Sequence, residues 1–98
     1  MTDYDQEIPE VVEHPIEESI DLHTFRPQEV GSLVREYLCE CRKRGITEVR
    51  IVHGKGIGVL RETVHAELRR SPHVISFQQA QPESGGWGAT VVVLHGNT

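Results

Sequence analysis

The chain has 98 residues, 37% of them hydrophobic, with 15 acidic against 10 basic side chains and a formal net charge of −5. That length makes one small domain with a modest core and marginal stability, and it holds no apolar run of about 18 residues that would span a membrane. The acidic N-terminus is unlike the basic-then-apolar opening of a secretory signal, so the chain is expected in the cytoplasm.

The charge is unevenly spread. Residues 1–19 hold seven acids and no Lys or Arg, which leaves eight acids, ten bases and five histidines in residues 20–98. An acidic arm over residues 1–18 thus precedes a mildly basic domain over residues 19–98. The arm contains Pro9 and Pro15 and shows no sustained periodicity, so it reads as flexible. It is either a solvated tail or an electrostatic mimic that lies over a basic site until nucleic acid displaces it. Mild positive charge in the remainder permits nucleic-acid binding without arguing strongly for it.

Ser19 to His23 alternates, with Ile20 and Leu22 apolar and Asp21 and His23 polar. A strand of that period places Asp21 and His23 on one face. Pro27 then suits the first position of a helix. Val30, Leu33, Val34, Tyr37, Leu38 and Cys41 follow at helical spacing and form an amphipathic stripe. Arg42, Lys43 and Arg44 match the dipole of the last turn as a solvated face, and Gly45 ends the helix. Cys39 and Cys41, two apart in that helix, point to nearly opposite sides and are expected reduced, with Cys41 in the core.

Glu48 to His53 reads as a second strand, and a helix over about residues 58–70 buries Leu60, Val64 and Leu68 before Ser71-Pro72 stops it. Val74 to Ala80 alternates as a third strand, with Ile75 and Phe77 on the same face. Gln81 to Gly88 is a loop, and the β-branched run Ala89 to His95 is a fourth, central strand. The order βαβαββ, with right-handed parallel crossovers, gives a two-layer α/β sandwich: a four-stranded mixed sheet with both helices on one face.

Between the second strand and second helix lies Val52-His53-Gly54-Lys55-Gly56-Ile57-Gly58. Its glycines allow a tight turn and close approach of a ligand. The free N–H groups and dipole of the next helix favour an anion. His53 and Lys55 add a titratable group and a cation. The dinucleotide fingerprint would place glycine at Val59, and the P-loop would follow Lys55 with Ser or Thr, so a nucleotide cofactor is not expected and a polymer phosphate is. Against this stands the plain reading that the glycines serve only the turn.

Three stretches in order resemble the small MutS-related (Smr) domain. These are Ile20-Asp21-Leu22-His23, the run Val52 to Arg61, and Gly85-Gly86-Trp87-Gly88-Ala89-Thr90-Val91. The resemblance covers about residues 19–95. It implies a fold like the C-terminal domain of a bacterial translation initiation factor, nucleic-acid binding and, as in several members, endonuclease activity on DNA or RNA. It marks Asp21 and His23, then His53, Gly54, Lys55, Gly56 and Gly58, then Gly85, Gly86, Trp87 and Gly88 as site residues. The family usually has glycine after the first histidine. Thr24 stands there in this chain, where it either narrows the approach to His23 or caps the following helix.

Phosphodiester cleavage needs a base, an acid and charge stabilisation at phosphorus. His23 and His53 suit the first two roles near neutral pH. Lys55, Arg61 and helix N–H groups suit the third, while Asp21 orients His23 or holds a metal. One motif carboxylate does not make a two-metal site, so the expectation is no metal or a single weakly held Mg²⁺. RNA would be cut through its own 2′-hydroxyl, DNA more slowly with metal assistance. His14, His65, His73 and His95 read as scattered surface histidines without zinc spacing. Trp87 either stacks on an exposed base or covers the core edge. Two alternatives to a nuclease remain open: a nucleic-acid- or ribosome-associated binding module, and a protein–protein adaptor. A monomer is expected.

Overall fold

The computed structural model describes residues 16–56 and 58–96. Four strands, β1 (Glu18–Asp21), β2 (Glu48–Val52), β3 (Val74–Gln79) and β4 (Ala89–Leu94), alternate with α1 (Pro27–Lys43) after β1 and α2 (Val59–Arg70) after β2. The sheet order is β1-β2-β4-β3, with β1 parallel to β2 and β4 antiparallel to both β2 and β3. The expected mixed sheet is borne out, and β4 is indeed central.

Helix α1 begins where its sequence says it should. Pro27 stands at the first turn, and the Glu29 carboxylate accepts the Arg26 N–H at 3.0 Å. The N-cap position belongs to Arg26, so Thr24 is not the cap; it lies in the turn that Phe25 N–H closes onto Leu22 O at 2.9 Å. At the other end Gly45, at φ 78°, lets Ile46 N–H reach Cys41 O and Gly45 N–H reach Arg42 O, a Schellman pair that satisfies the last carbonyls.

Val30, Val34, Leu38 and Cys41 of α1 and Val64 and Leu68 of α2 form one buried cluster with Val49, Ile51, Val92 and Leu94. Both helices therefore cover the same sheet face. Between them the buried Glu67 carboxylate lies 3.4 Å from where a Cβ on Gly31 would stand, and it pairs with Arg35 and Arg70. On the opposite face Arg50 donates to Ser19 Oγ at 3.0 Å and to Ser84 O at 3.1 Å, tying the 81–88 segment across the sheet.

Three expectations need correction. The alternation of β3 is broken by a register shift between Val74 and Ser76, which turns Val74 and Phe77 to the core and leaves Ile75 exposed. Strand β1 starts at Glu18 and stops at Asp21, ahead of His23. The acidic arm runs into this strand. Its first 15 residues, His14 among them, lie outside the described residues, but Glu17 Oε1 accepts the Thr47 and Glu48 N–H groups at 2.8 and 3.2 Å, and Glu18 pairs with Arg44 at 3.1 Å. Arg42 likewise holds the C-terminal carbonyls of His95 and Gly96. The basic run at the end of α1 is thus partly a set of ties, more than a solvated face.

Candidate active site

Strands β1 and β2 run in one direction and β4 in the other, so the segments that follow Asp21 and Val52 and the one that precedes Ala89 emerge side by side. Leu22 N–H donates to Val52 O at 2.7 Å, and His53 and Gly54 N–H both donate to Gly88 O at 3.0 and 2.8 Å. A Cβ on Gly54 would stand 3.9 Å from the His23 Cβ, and one on Gly88 would stand 2.9 Å from Lys55 Cγ. The three motifs, distant in sequence, are in contact.

At the surface of this junction His23 Nδ1 lies 2.6 Å from Asp21 Oδ1, and the His23 backbone N–H reaches the same oxygen at 3.0 Å. The side chains are 64% and 55% exposed. The backbone N–H first, then the ring, hold the Asp21 carboxyl below its ordinary value of 3.8. An ionised carboxylate on Nδ1 fixes the proton there and leaves Nε2 as the ring's acceptor, with no partner among the described residues.

His53 is placed differently from the expectation that it faces the ligand beside His23. It is 4% exposed, its Nδ1 is 3.2 Å from Gly54 O and its Nε2 is 2.9 Å from Thr90 Oγ1. Both ring nitrogens are occupied beneath the loop. His65, read from sequence as a surface residue, also meets Thr90 Oγ1 at 2.9 Å through Nε2, stands edge-on to His53 with ring centroids 6.0 Å apart, and packs on Phe77. Burial, helped by the nearby Arg61 cation, pushes both histidines below the ordinary 6.5 and keeps them neutral. The Gly54 carbonyl can only accept, so hydrogen-bond logic places the His53 proton on Nδ1. Thr90 then donates to His53 Nε2 and accepts from His65 Nε2–H. The sequence signal for this chain is Thr90 itself, a hydroxyl sharing the inward parity of Val92 and Leu94.

The remaining site residues divide between scaffold and surface. Gly58 caps α2 at φ 87° without a side-chain cap, and Gly85 and Gly86 turn at φ 116° and 56°. Lys55 and Gly56 are exposed, Arg61 sits in the first turn of α2, and Trp87 is 56% exposed. Among the described residues no three His, Cys, Asp or Glu side chains come together as a metal site, and no helix is long and apolar enough to cross a membrane.

The Smr domain family matches residues 20–95. Endonuclease MutS2 of Thermomicrobium roseum is 42% identical over 79 residues and that of Clostridium botulinum strain 657 is 43% identical over 79, each alignment covering 81% of this chain and 10% of the relative. The chain thus spans about a tenth of the length of these curated relatives. Among solved structures, the Smr domain of Thermus thermophilus MutS2 superposes with TM-score 0.77 at 40% identity, covering 80% of this chain and 98% of that one. YdaL, a stand-alone small MutS-related protein from Escherichia coli, gives 0.75 at 28% identity, covering 79% and 63%. On the family match, the relatives and the shared fold together, the chain belongs to the Smr domain family.

Proposed function

We propose that this chain binds nucleic acid at the junction of its three motifs and cleaves phosphodiester bonds there, with Asp21 and His23 as the working pair. The observation that carries this reading is the 2.6 Å Asp21–His23 contact on an exposed turn, which leaves Nε2 without a partner among the described residues while His23 Cβ lies next to Gly54, the neighbour of Lys55. On RNA, Nε2 takes the proton of the 2′-hydroxyl as it attacks phosphorus. The bond to the 5′-oxygen then breaks, giving a 2′,3′-cyclic phosphate and a 5′-hydroxyl. Lys55 and Arg61 offset the charge that develops on the phosphoryl oxygens.

The buried His53 does not deliver the leaving-group proton; the open setting lets water supply it. A site with a base but no positioned acid would make a slow nuclease. DNA would require a water nucleophile, and no cluster of three metal ligands stands among the described residues to activate one. The relatives' name, Endonuclease MutS2, agrees with the reaction class, although those chains are far longer. Cys39 and Cys41 are unpaired, which suits a reducing compartment, and we place the activity in the cytoplasm.

A second reading, binding without cleavage, is favoured by His53 being buried, which leaves His23 as the exposed imidazole of the motifs, and by Thr24 at the usual glycine position. Labelled RNA and supercoiled DNA incubated with EDTA or Mg²⁺ separate the two. His23→Ala should lower single-turnover cleavage about 10²- to 10⁴-fold, and Asp21→Asn should lower it through the lost Nδ1 partner. Wild-type rates in both variants would sink the assignment. Salt-sensitive binding with no cleavage by the wild type would leave the binding module.

A further inference from the structure

Of the exposed large apolar side chains, Phe25, Val59 and Trp87 stand on the three segments that build the site, while Ile75 belongs to the bulge of β3. Phe25 closes the turn after Asp21 and His23, Val59 opens α2 behind the glycine loop, and Trp87 lies in the short turn Gly86–Gly88. Scattered exposed apolar residues need no explanation, but a set confined to one functional end does.

Trp87 carries the argument furthest, because its backbone is fixed while its ring is free. The Gly88 carbonyl accepts both the His53 and Gly54 N–H groups, and Gly88 lies so close to Lys55 that a Cβ would stand 2.9 Å from Lys55 Cγ. On the other side Gly86 N–H bonds to Gln81 O at 2.9 Å. The ring projects from this clamped turn 56% exposed. From Trp87 the contacts run through Gly88 to Lys55 and Gly54, and from Gly54 to His23. Trp87, Lys55 and the Asp21–His23 pair are therefore carried on adjoining segments.

We propose that Trp87 is the stacking platform for an unpaired base of single-stranded RNA, which sets the neighbouring phosphodiester against Lys55 and the Asp21–His23 pair. This rests on the reading of the site as a nucleic-acid-cleaving centre and adds the substrate class. A base inside a duplex has both faces covered by its neighbours, so a protruding indole finds a partner only where bases are unpaired. Charge alone is a weak source of affinity for a chain of net charge −5. Stacking contributes about 1–3 kcal/mol per base regardless of that balance. RNA is favoured over DNA because the site offers a base with no positioned acid, and RNA carries its own nucleophile.

Trp87 is the chain's single tryptophan, so intrinsic indole fluorescence reports on this position alone. The full chain is titrated with a short 2′-O-methyl RNA single strand, which lacks the reacting hydroxyl, with the same sequence as a duplex, and with the matching DNA strand. The anisotropy of a labelled strand is followed in parallel. The expected result is quenching by the single RNA strand and little by the duplex, with cleavage of the unmethylated RNA strand and not of the DNA strand. Trp87→Ala should weaken single-strand binding about 5- to 150-fold with an unchanged melting temperature, and Trp87→Phe should recover most of it. Binding by anisotropy without a fluorescence change, equal quenching by duplex, or wild-type affinity in Trp87→Ala would overturn the stacking role. Cleavage of the DNA strand as fast as the unmethylated RNA strand would overturn the choice of RNA. No binding to any strand at low salt would instead defeat the nucleic-acid reading on which the proposal rests.

Discussion

Thr90 is a hydroxyl at an inward position of the central strand, and a buried hydroxyl is stable there only with partners. It has two, His53 and His65, and the direction of each bond is fixed by the Gly54 carbonyl at the far end. Replacing Thr90 with Val keeps the shape and strands both ring nitrogens. The expected cost is about 1–3 kcal/mol, or a fall of roughly 5–20 °C in Tm for a domain this small, read by thermal melts at neutral pH. The same chain makes stability depend on pH. Both histidines are neutral in the fold, with pKa values below the ordinary 6.5, whereas in the unfolded chain they take up protons below that value. The unfolded state then binds more protons, so stability rises with pH. The contribution is complete above about pH 6.5 and is lost as pH falls from there toward the folded values. Melts across about pH 5 to 8 should show this acid-side loss, and His65→Gln, which removes one of the two titrating groups, should reduce it. A flat profile would mean that the two rings are not held neutral by their burial.

The glycine segments work at the scale of elements, and their glycines are not equivalent. Gly85 lies at φ 116°, and a Cβ there would meet the Ala89 Cβ at 2.9 Å on a buried strand that cannot give. Gly85→Ala should cost about 1–3 kcal/mol, visible as a lower Tm. Gly88 has no left-handed backbone, and its Cβ would press on the mobile Lys55 side chain and, at 3.4 Å, on the Gly54 carbonyl carbon. Gly88→Ala should therefore melt closer to wild type and lose more nucleic-acid affinity than Gly85→Ala loses. The reverse ranking in melts and anisotropy would contradict the division. What the sequence made legible follows the same division between local and tertiary causes. Helix α1 could be read because Pro27, the apolar stripe and Gly45 act within a few residues of where they stand. The Asp21–His23 pair could be read because the two stand two residues apart at a strand end, although the turn after the strand, and not its period, brings them together. The bulge in β3 could not, because inserting one residue into a ladder leaves no mark on an alternating pattern. His65 and the burial of His53 were hidden for a related reason. Both depend on Thr90, which meets them only when β4 inserts beside β2.

At the scale of the whole molecule the charge is divided along the chain in a way the fold does not neutralise. Glu17 and Glu18 belong to the sheet, one accepting two backbone N–H groups and the other pairing with Arg44. Residues 1–15 carry five further acids and no base, joined to a domain whose Lys55 stands exposed at the site. An acidic segment tethered to a cationic site competes with a polyanion at a high effective concentration. Removing residues 1–15, while keeping Glu17 and Glu18, should therefore tighten binding of single-stranded RNA at low salt. The difference should fade as the Debye length shrinks from about 30 Å at 0.01 M to about 10 Å at 0.1 M. The salt slope is the more telling readout. With the acids present, salt weakens the RNA's attraction and its competitor together, so log affinity falls gently with log salt. Without them only the attraction is screened, and the slope should steepen toward about −0.7 per phosphate contact. A variant carrying Asn or Gln at the five acids should behave like the deletion if charge is the cause. Equal affinity and slope in all three proteins would confine the functional charge to the folded domain.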